Sequence, residues 1–198
     1  MKRLPFLVAL LLAATTAFAF NPTPRATQPR IGVLRVSQEY ERGADYVAKS
    51  VVRFLREELR EQGVDAYDTG LTYEEVADGK GEDADYYIEI FGADADSGSY
   101  GGLDVGTYDV GVSVDVIVSH VAAEVRIYDG RTGELVRSEP LSRKKTSVMP
   151  TSVYVGGRSR LFAAIALPFV QHAQYKNITR SAARDAAQVV LETVQPGK

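Results

Sequence analysis

The sequence predicts an α/β sandwich: a mixed sheet of about five strands with helices mainly on one face. Three observations predict it. Residues 31–67 read as strand, helix, strand. Residues 108–146 read as two long strands joined by an Asp-Gly-Arg-Thr-Gly turn. An alanine-rich helical pattern closes the chain over Thr179–Val194.

Ile31-Gly-Val-Leu-Arg-Val36 is nearly all apolar, the pattern of a central strand buried on both faces. Ala44–Gln62 follows as an amphipathic helix. Val47, Val51, Leu55 and Leu59 recur every four residues, Val52 widens the stripe, and Arg53, Arg56, Glu57, Arg60 and Glu61 take the other side. Gly63 is its stop signal. Val64–Tyr67 is the second strand, expected parallel to the first. Thr72–Asp78 suits a helical turn capped by Thr72, with Glu74 and Glu75 in its first turn.

Tyr86–Phe91 is the next strand, and Ala93–Gly106, rich in Gly, Asp and Ser, is expected to be a loop. Tyr108–Val118 alternates strictly. Its five valines, 110 to 118, share one face and suggest that this face is the buried one. Val121–Tyr128 continues as strand after an expected bend near His120. Asp129–Gly133 is a hairpin loop whose two glycines suit positive φ. Glu134–Thr146 returns, with Pro140 marking a sheet edge. After a Gly-containing connection over Thr151–Arg160, Leu161–Gln171 reads as a short apolar helix, and Thr179–Val194 as a separate one packed beside Ala44–Gln62.

The start of the chain sets an expected compartment. Lys2 and Arg3 precede an apolar run, and Ala17-Phe18-Ala19 offers a cleavage site before Phe20, the pattern of a secretory signal peptide. Phe20–Pro29 holds three prolines and reads as an extended tether, leaving 30–198 as a single domain. Removing nineteen of the 198 residues leaves 179, enough to bury roughly 70% of the unfolded surface. The leader carries two of the 23 basic residues and none of the 26 acidic ones, so the mature balance is 21 against 26, or −5. That mild acidity argues against nucleic-acid binding. Cysteine is absent, which excludes thiol catalysis and cysteine metal sites, and leaves no residue to carry a lipoprotein's lipid. The expected location is the periplasm, with at most peripheral membrane contact.

Candidate chemistry is sparse. His120 and His172 are the only histidines and lack zinc-ligand spacing. No G-x-S-x-G elbow is present. Asp94-Ala-Asp96-Ser-Gly98 lacks an oxygen ligand at the fifth position and Glu at the twelfth of a calcium loop. Arg143-Lys-Lys145 fits a guarded sheet edge. Asn177-Ile-Thr179 is a formal glycosylation sequon that also suits a helix entry. No catalytic residue, metal or cofactor is assigned. A secreted hydrolase would use carboxylates such as Asp83, Asp85, Asp94 and Asp96. A ligand or lipid carrier would instead require a large apolar cavity.

Arg158 and Arg160 are expected just before an apolar helix, where they would oppose its dipole unless an anionic partner met them. Tyr100, Tyr154, Phe162 and Phe169 are the candidate apolar contacts. The partner expected is an envelope protein or a second copy of the chain.

The order of elements, with Ile31–Val36, Ala84-Asp-Tyr-Tyr-Ile-Glu-Ile90 and Ala123-Glu-Val-Arg-Ile-Tyr-Asp-Gly-Arg-Thr-Gly-Glu-Leu-Val136, resembles small bacterial envelope proteins. These carry an α/β module like the TolB amino-terminal domain. They include the curli-secretion lipoproteins, the penicillin-binding-protein activator lipoproteins and a family of neisserial-type envelope lipoproteins. The resemblance implies assembly, secretion or activation through protein contact and carries over no catalytic residue. The chain departs from these families in lacking the lipid-bearing cysteine.

Overall fold

The computed structural model describes residues 28–37, 42–81, 83–107, 109–156, 158–161 and 163–195; the side chains of 42, 43, 102, 151, 154, 158–161 and 163–168 are outside that description. The expected leader and most of the tether fall outside it. The elements are β1 (Arg30–Val33), α1 (Arg42–Glu61), β2 (Asp65–Asp68), α2 (Tyr73–Glu75) running into a π-turn over Val76–Lys80, β3 (Tyr86–Gly106), β4 (Val110–Asp129), β5 (Leu135–Val155), β6 (Arg158–Leu161) and α3 (Ala163–Val194). They build the mixed α/β sheet, in the order β2-β1-β3-β4-β5-β6. β1 pairs parallel with β2 and β3, and the remaining ladders are antiparallel.

The apolar stripe of α1 explains the layering. Val47, Val51, Leu55 and Leu59 are fully buried, against Ile31 and Val33 of β1 and Ile88 and Ile90 of β3. Ala182, Ala183, Ala186 and Val190 of α3 join the same core. Their small side chains let α3 lie close to α1, and Arg184 pairs with Glu58 across the two helices at 3.0 Å. Gly63 ends α1 with φ 77°. Thr72 and Glu75 form the reciprocal capping box: the Thr72 amide donates to Glu75 Oε2 at 2.9 Å, and the Glu75 amide donates to Thr72 Oγ1.

Several expectations are corrected. Ala93–Gly106 is strand, not loop, because its backbone pairs with the whole length of β4. A continuous ladder overrides the low strand propensity of Gly, Asp and Ser. β4 runs through His120 without interruption. In the Asp129–Gly133 turn only Gly133 has positive φ, at 70°. Gly130 is needed for a different reason: a Cβ there would lie 1.8 Å from the carbonyl oxygen of Ala84.

β5 continues past Pro140 and Pro150; it pairs with β6 only over Ser152–Val155, so Pro140 does lie on a one-sided stretch. Arg158 and Arg160 belong to β6 rather than to a helix entry. The two expected C-terminal helices are one, α3, which continues through Pro168. Asn177-Ile-Thr179 therefore sits in mid-helix. Thr179 satisfies its hydroxyl by donating to the Tyr175 carbonyl one turn earlier, at 2.5 Å.

The face of β4 is reversed from expectation. Ile117, Ser119, Val121, Ala123, Val125 and Ile127 are the buried residues, and they face the helices. The valines at 110, 112, 114, 116 and 118 occupy the opposite side. Leu55→Ala is expected to cost about 2–5 kcal/mol through the cavity it leaves. Val114→Ala should cost about 1 kcal/mol or less, a loss of strand propensity alone. Denaturant unfolding of the two variants checks this assignment, and equal losses would contradict it.

Candidate contact surface

β3, β4 and β5 form a three-stranded arm. Beyond Ile88, β3 pairs only with β4 among the described residues. Residues opposite one another in a ladder share a face. Starting from the valines of β4, the register places Gly98, Tyr100, Leu103 and Val105 of β3 on the side away from the helices, together with Val148, Pro150, Val153 and Val155 of β5.

This common face depends on bulges. In β3, two residues intervene between Tyr100 and Leu103, opposite a single residue of β4. The extra residue resets the alternation, so Leu103 and Val105 fall beside Tyr100 instead of behind it. In β5, Pro150 pairs with Val114 and Ser152 with Ser113, and this shift brings Val153 and Val155 onto the face of Val148. Strict period-two reading across either bulge puts half of these residues on the wrong side.

The result is an aliphatic band without a cover among the described residues. Tyr100, Leu103, Val105 and Val148 are each about two-thirds exposed, and Val110 and Val155 are more than half exposed. The β4 part of the band, Val110–Val118, spans roughly 27 Å. Toward the base, the row Asp96–His120–Lys144 bounds it with polar groups. His120 Nε2 lies 3.0 Å from Ser142 Oγ.

The same face is closed at its base. Arg126 sits 3.5 Å from the centre of the Phe91 ring and donates to Glu124 at 2.8 Å. The Arg126 and Ser138 contacts hold the Glu124 carboxyl below its ordinary range. Glu89 is buried and accepts hydrogen bonds from Tyr128 Oη at 2.8 Å and Ser37 Oγ at 3.2 Å. Tyr128 stacks on Tyr73, with ring centres 4.2 Å apart. A cavity of about 490 Å³ lies beside this stack, lined by Tyr73, Tyr87, Asp83 and the Gly130–Gly133 turn.

On the helix side of the arm, Ser119 donates to Gln174 Oε1 at 2.6 Å and lies 3.2 Å from the hydroxyl of Ser97. Gln174 Nε2 is buried with no hydrogen-bond partner among the described residues. This polar seam holds α3 to the arm where the apolar core ends.

Of the sequence-based candidates, Tyr100 and Phe169 have described side chains, and these two lie apart. Tyr100 lies in the open band. Phe169, 74% exposed, belongs to α3 on the other layer. The backbones of Arg158 and Arg160 pair with Val155 and Val153, and that of Tyr154 pairs with Gly111 and Ser159. The side chains of these three lie outside the described residues, and so does all of Phe162. Asp83 and Asp85 stand just before β3, while Asp94 and Asp96 sit past its first bulge, so the four carboxylates are spread along the chain. Asp85 accepts from the Arg30 amide at 2.8 Å. A groove of about 690 Å³ at the carboxyl ends of β1 and β2 is lined mainly by polar and charged groups, including Arg35, Asp45, Lys49, Arg56 and Asp68. No group of three metal-ligating side chains occurs among the described residues, and no described helix is long and apolar enough to cross a membrane.

Sequence reasoning missed Leu103, Val105, Val148, Val153 and Val155. A signal existed in the short alternating runs Leu-x-Val and Val-x-Val, but the bulges hid their common phase.

No family model matches the chain, and no curated protein matches it. Solved structures of similar outline include bacterial lipoproteins at low identity. An uncharacterized lipoprotein B from Nitrosomonas europaea is 14% identical, with 84% of this chain and 86% of that one covered and a TM-score of 0.46. The rare lipoprotein B from Shewanella oneidensis is 13% identical over 83% and 96%, with a TM-score of 0.43. A neuraminyllactose-binding hemagglutinin homolog from Helicobacter pylori is 10% identical over 82% and 94%, with a TM-score of 0.42.

The closed base makes a pH prediction. Burial, then the bond to Glu89, pushes the Tyr128 hydroxyl well above its usual value of 10.0. The folded state therefore keeps this proton where the unfolded chain releases it. The contribution is complete below pH 10 and is lost as pH rises toward the folded value. Tyr128→Phe should flatten the fall in unfolding free energy above pH 10; an unchanged slope would contradict the assignment.

Proposed function

We propose that this protein is a non-enzymatic, exported module of the bacterial cell envelope that works by contact with another protein, in assembly, secretion or activation of an envelope component. The observation that carries this is the uncovered aliphatic band. A soluble monomer rarely exposes an apolar patch beyond roughly 300–600 Å², and larger patches mark interaction sites. Six side chains here are more than half exposed, with further valines and Pro150 between them. The leader pattern at Lys2–Ala19 supports export.

The band is also built for contact rather than chemistry. Across β3, β4 and β5 its rows hold aliphatic groups, one tyrosine, one proline and Thr146, with the Tyr100 hydroxyl the one titratable group among their described side chains; the register sets Arg158 and Arg160 of β6 beside Val155 and Val153 at its edge. Its binding energy would come from apolar area centred on Tyr100 and Leu103. The hydrolase alternative has less to stand on, since its four carboxylates do not converge.

A photo-crosslinking residue at Leu103, in intact cells, should give a protein adduct that Val116→Lys removes. The same probe at Glu61, on the exposed end of α1, should give none. Equal adducts at both positions would overturn the contact reading. The amino terminus of the exported protein should be Phe20; a chain still beginning at Met1 would contradict cleavage after Ala19.

A further inference from the structure

We propose that the aliphatic band is covered by the same band of a second copy of this chain, the two arms packed face to face about a two-fold axis close to the direction of β4. The inference rests on the contact reading above and names the partner.

The band's own layout supplies the argument. A two-fold axis that bisects the crossing of the two sheets, about 15° from β4, keeps each band residue near its height and exchanges left for right, so β3 of one copy lies over β5 of the other. The ladders fix which residues then meet. Tyr100 and Val148 both pair with Val116, so Tyr100 of one copy covers Val148 of its mate. Leu103 and Pro150 both pair with Val114, so they meet in the same way. In these two rows the bulkier β3 side chain falls on a smaller β5 one; Val105 meets Val153, Gly98 meets Thr146, and the β4 valines fall on their own mates.

The polar row is matched as well. Asp96 and Lys144 flank His120 on opposite sides, and both are exposed. The exchange places Asp96 of each copy over Lys144 of the other. The row therefore closes the interface with two ion pairs, where a cover of one charge would leave one side unmatched. Asp94 stands one row further down, opposite Ala122, with Ser142 as its counterpart on β5.

Clearance is compatible with this pairing. Packed sheets of twisted strands cross at about 30°. The α2 turn rises from this face only near Tyr128, ten residues along β4 from Val118 and roughly 33 Å away, where that crossing has carried the two bases apart.

The chain has no cysteine, so one introduced thiol reports on one contact. In the full chain, Val116→Cys should be joined to its mate by a short bis-maleimide, whose reach matches the roughly 10 Å between packed sheets that a disulfide cannot span. Ser138→Cys, exposed on the same side outside the band, should not. Asp96→Lys and Lys144→Asp should each reduce the dimer yield several-fold, and the two together should restore it, with circular dichroism unchanged throughout. Failure of the double exchange to restore the dimer would overturn the proposal. A monomeric Val116→Cys chain whose band crosslinks to a different protein would overturn the second copy and leave the contact reading standing. A monomer that binds anionic lipid vesicles through the band, with no protein adduct, would overturn both.

Discussion

The fold rests on the burial of one helical stripe. Val47, Val51, Leu55 and Leu59 reach the sheet through β1 and β3, and the alanines of α3 close the layer beside them. Each fully buried valine or leucine contributes about 1.5–3 kcal/mol relative to exposure. This layer fixes which face of every strand is internal. The opposite face is covered only at its base, where Leu34, Ala84, Tyr87 and Tyr128 form a small second cluster with Tyr67, Tyr73 and Val76 packed against it. Beyond that cluster, nothing among the described residues covers the arm.

Much of the helical layer was legible in the sequence. The four-residue spacing of α1, the Gly63 stop, the Thr72 cap and the pairing of α1 with α3 all follow from local chemistry. The arm was less legible, for physical reasons. A ladder gives strand structure to Gly-Ser-Asp sequence that has little strand preference of its own. Bulges near residues 92, 101 and 151 shift the alternation, so no single window shows which residues share a face. The valine pattern of β4 was visible, but its direction depends on which side α3 covers. Ile117 was the one local clue: it breaks the polar face of Val110–Val118 and is fully buried.

The same reversal changes the functional reading. Most of the exposed apolar side chains among the described residues lie on three strands of the arm, with Tyr100 among them, while Phe169 is exposed on α3. On the helix side, small residues and the Ser97–Ser119–Gln174 seam carry the packing, which frees the valines to face outward. One face holds the domain together, and the other carries the uncovered band on which the proposed contact rests.

The direct test of that division is the solvent exposure of valine methyl groups, read by NMR with a water-soluble nitroxide. In dilute protein, the Val116 methyls should be strongly broadened while those of Val125 are spared. Raising the protein concentration should protect Val116 and leave Val125 unchanged. Val116 as sheltered as Val125 at every concentration, or open at every concentration with any partner added, would contradict the account.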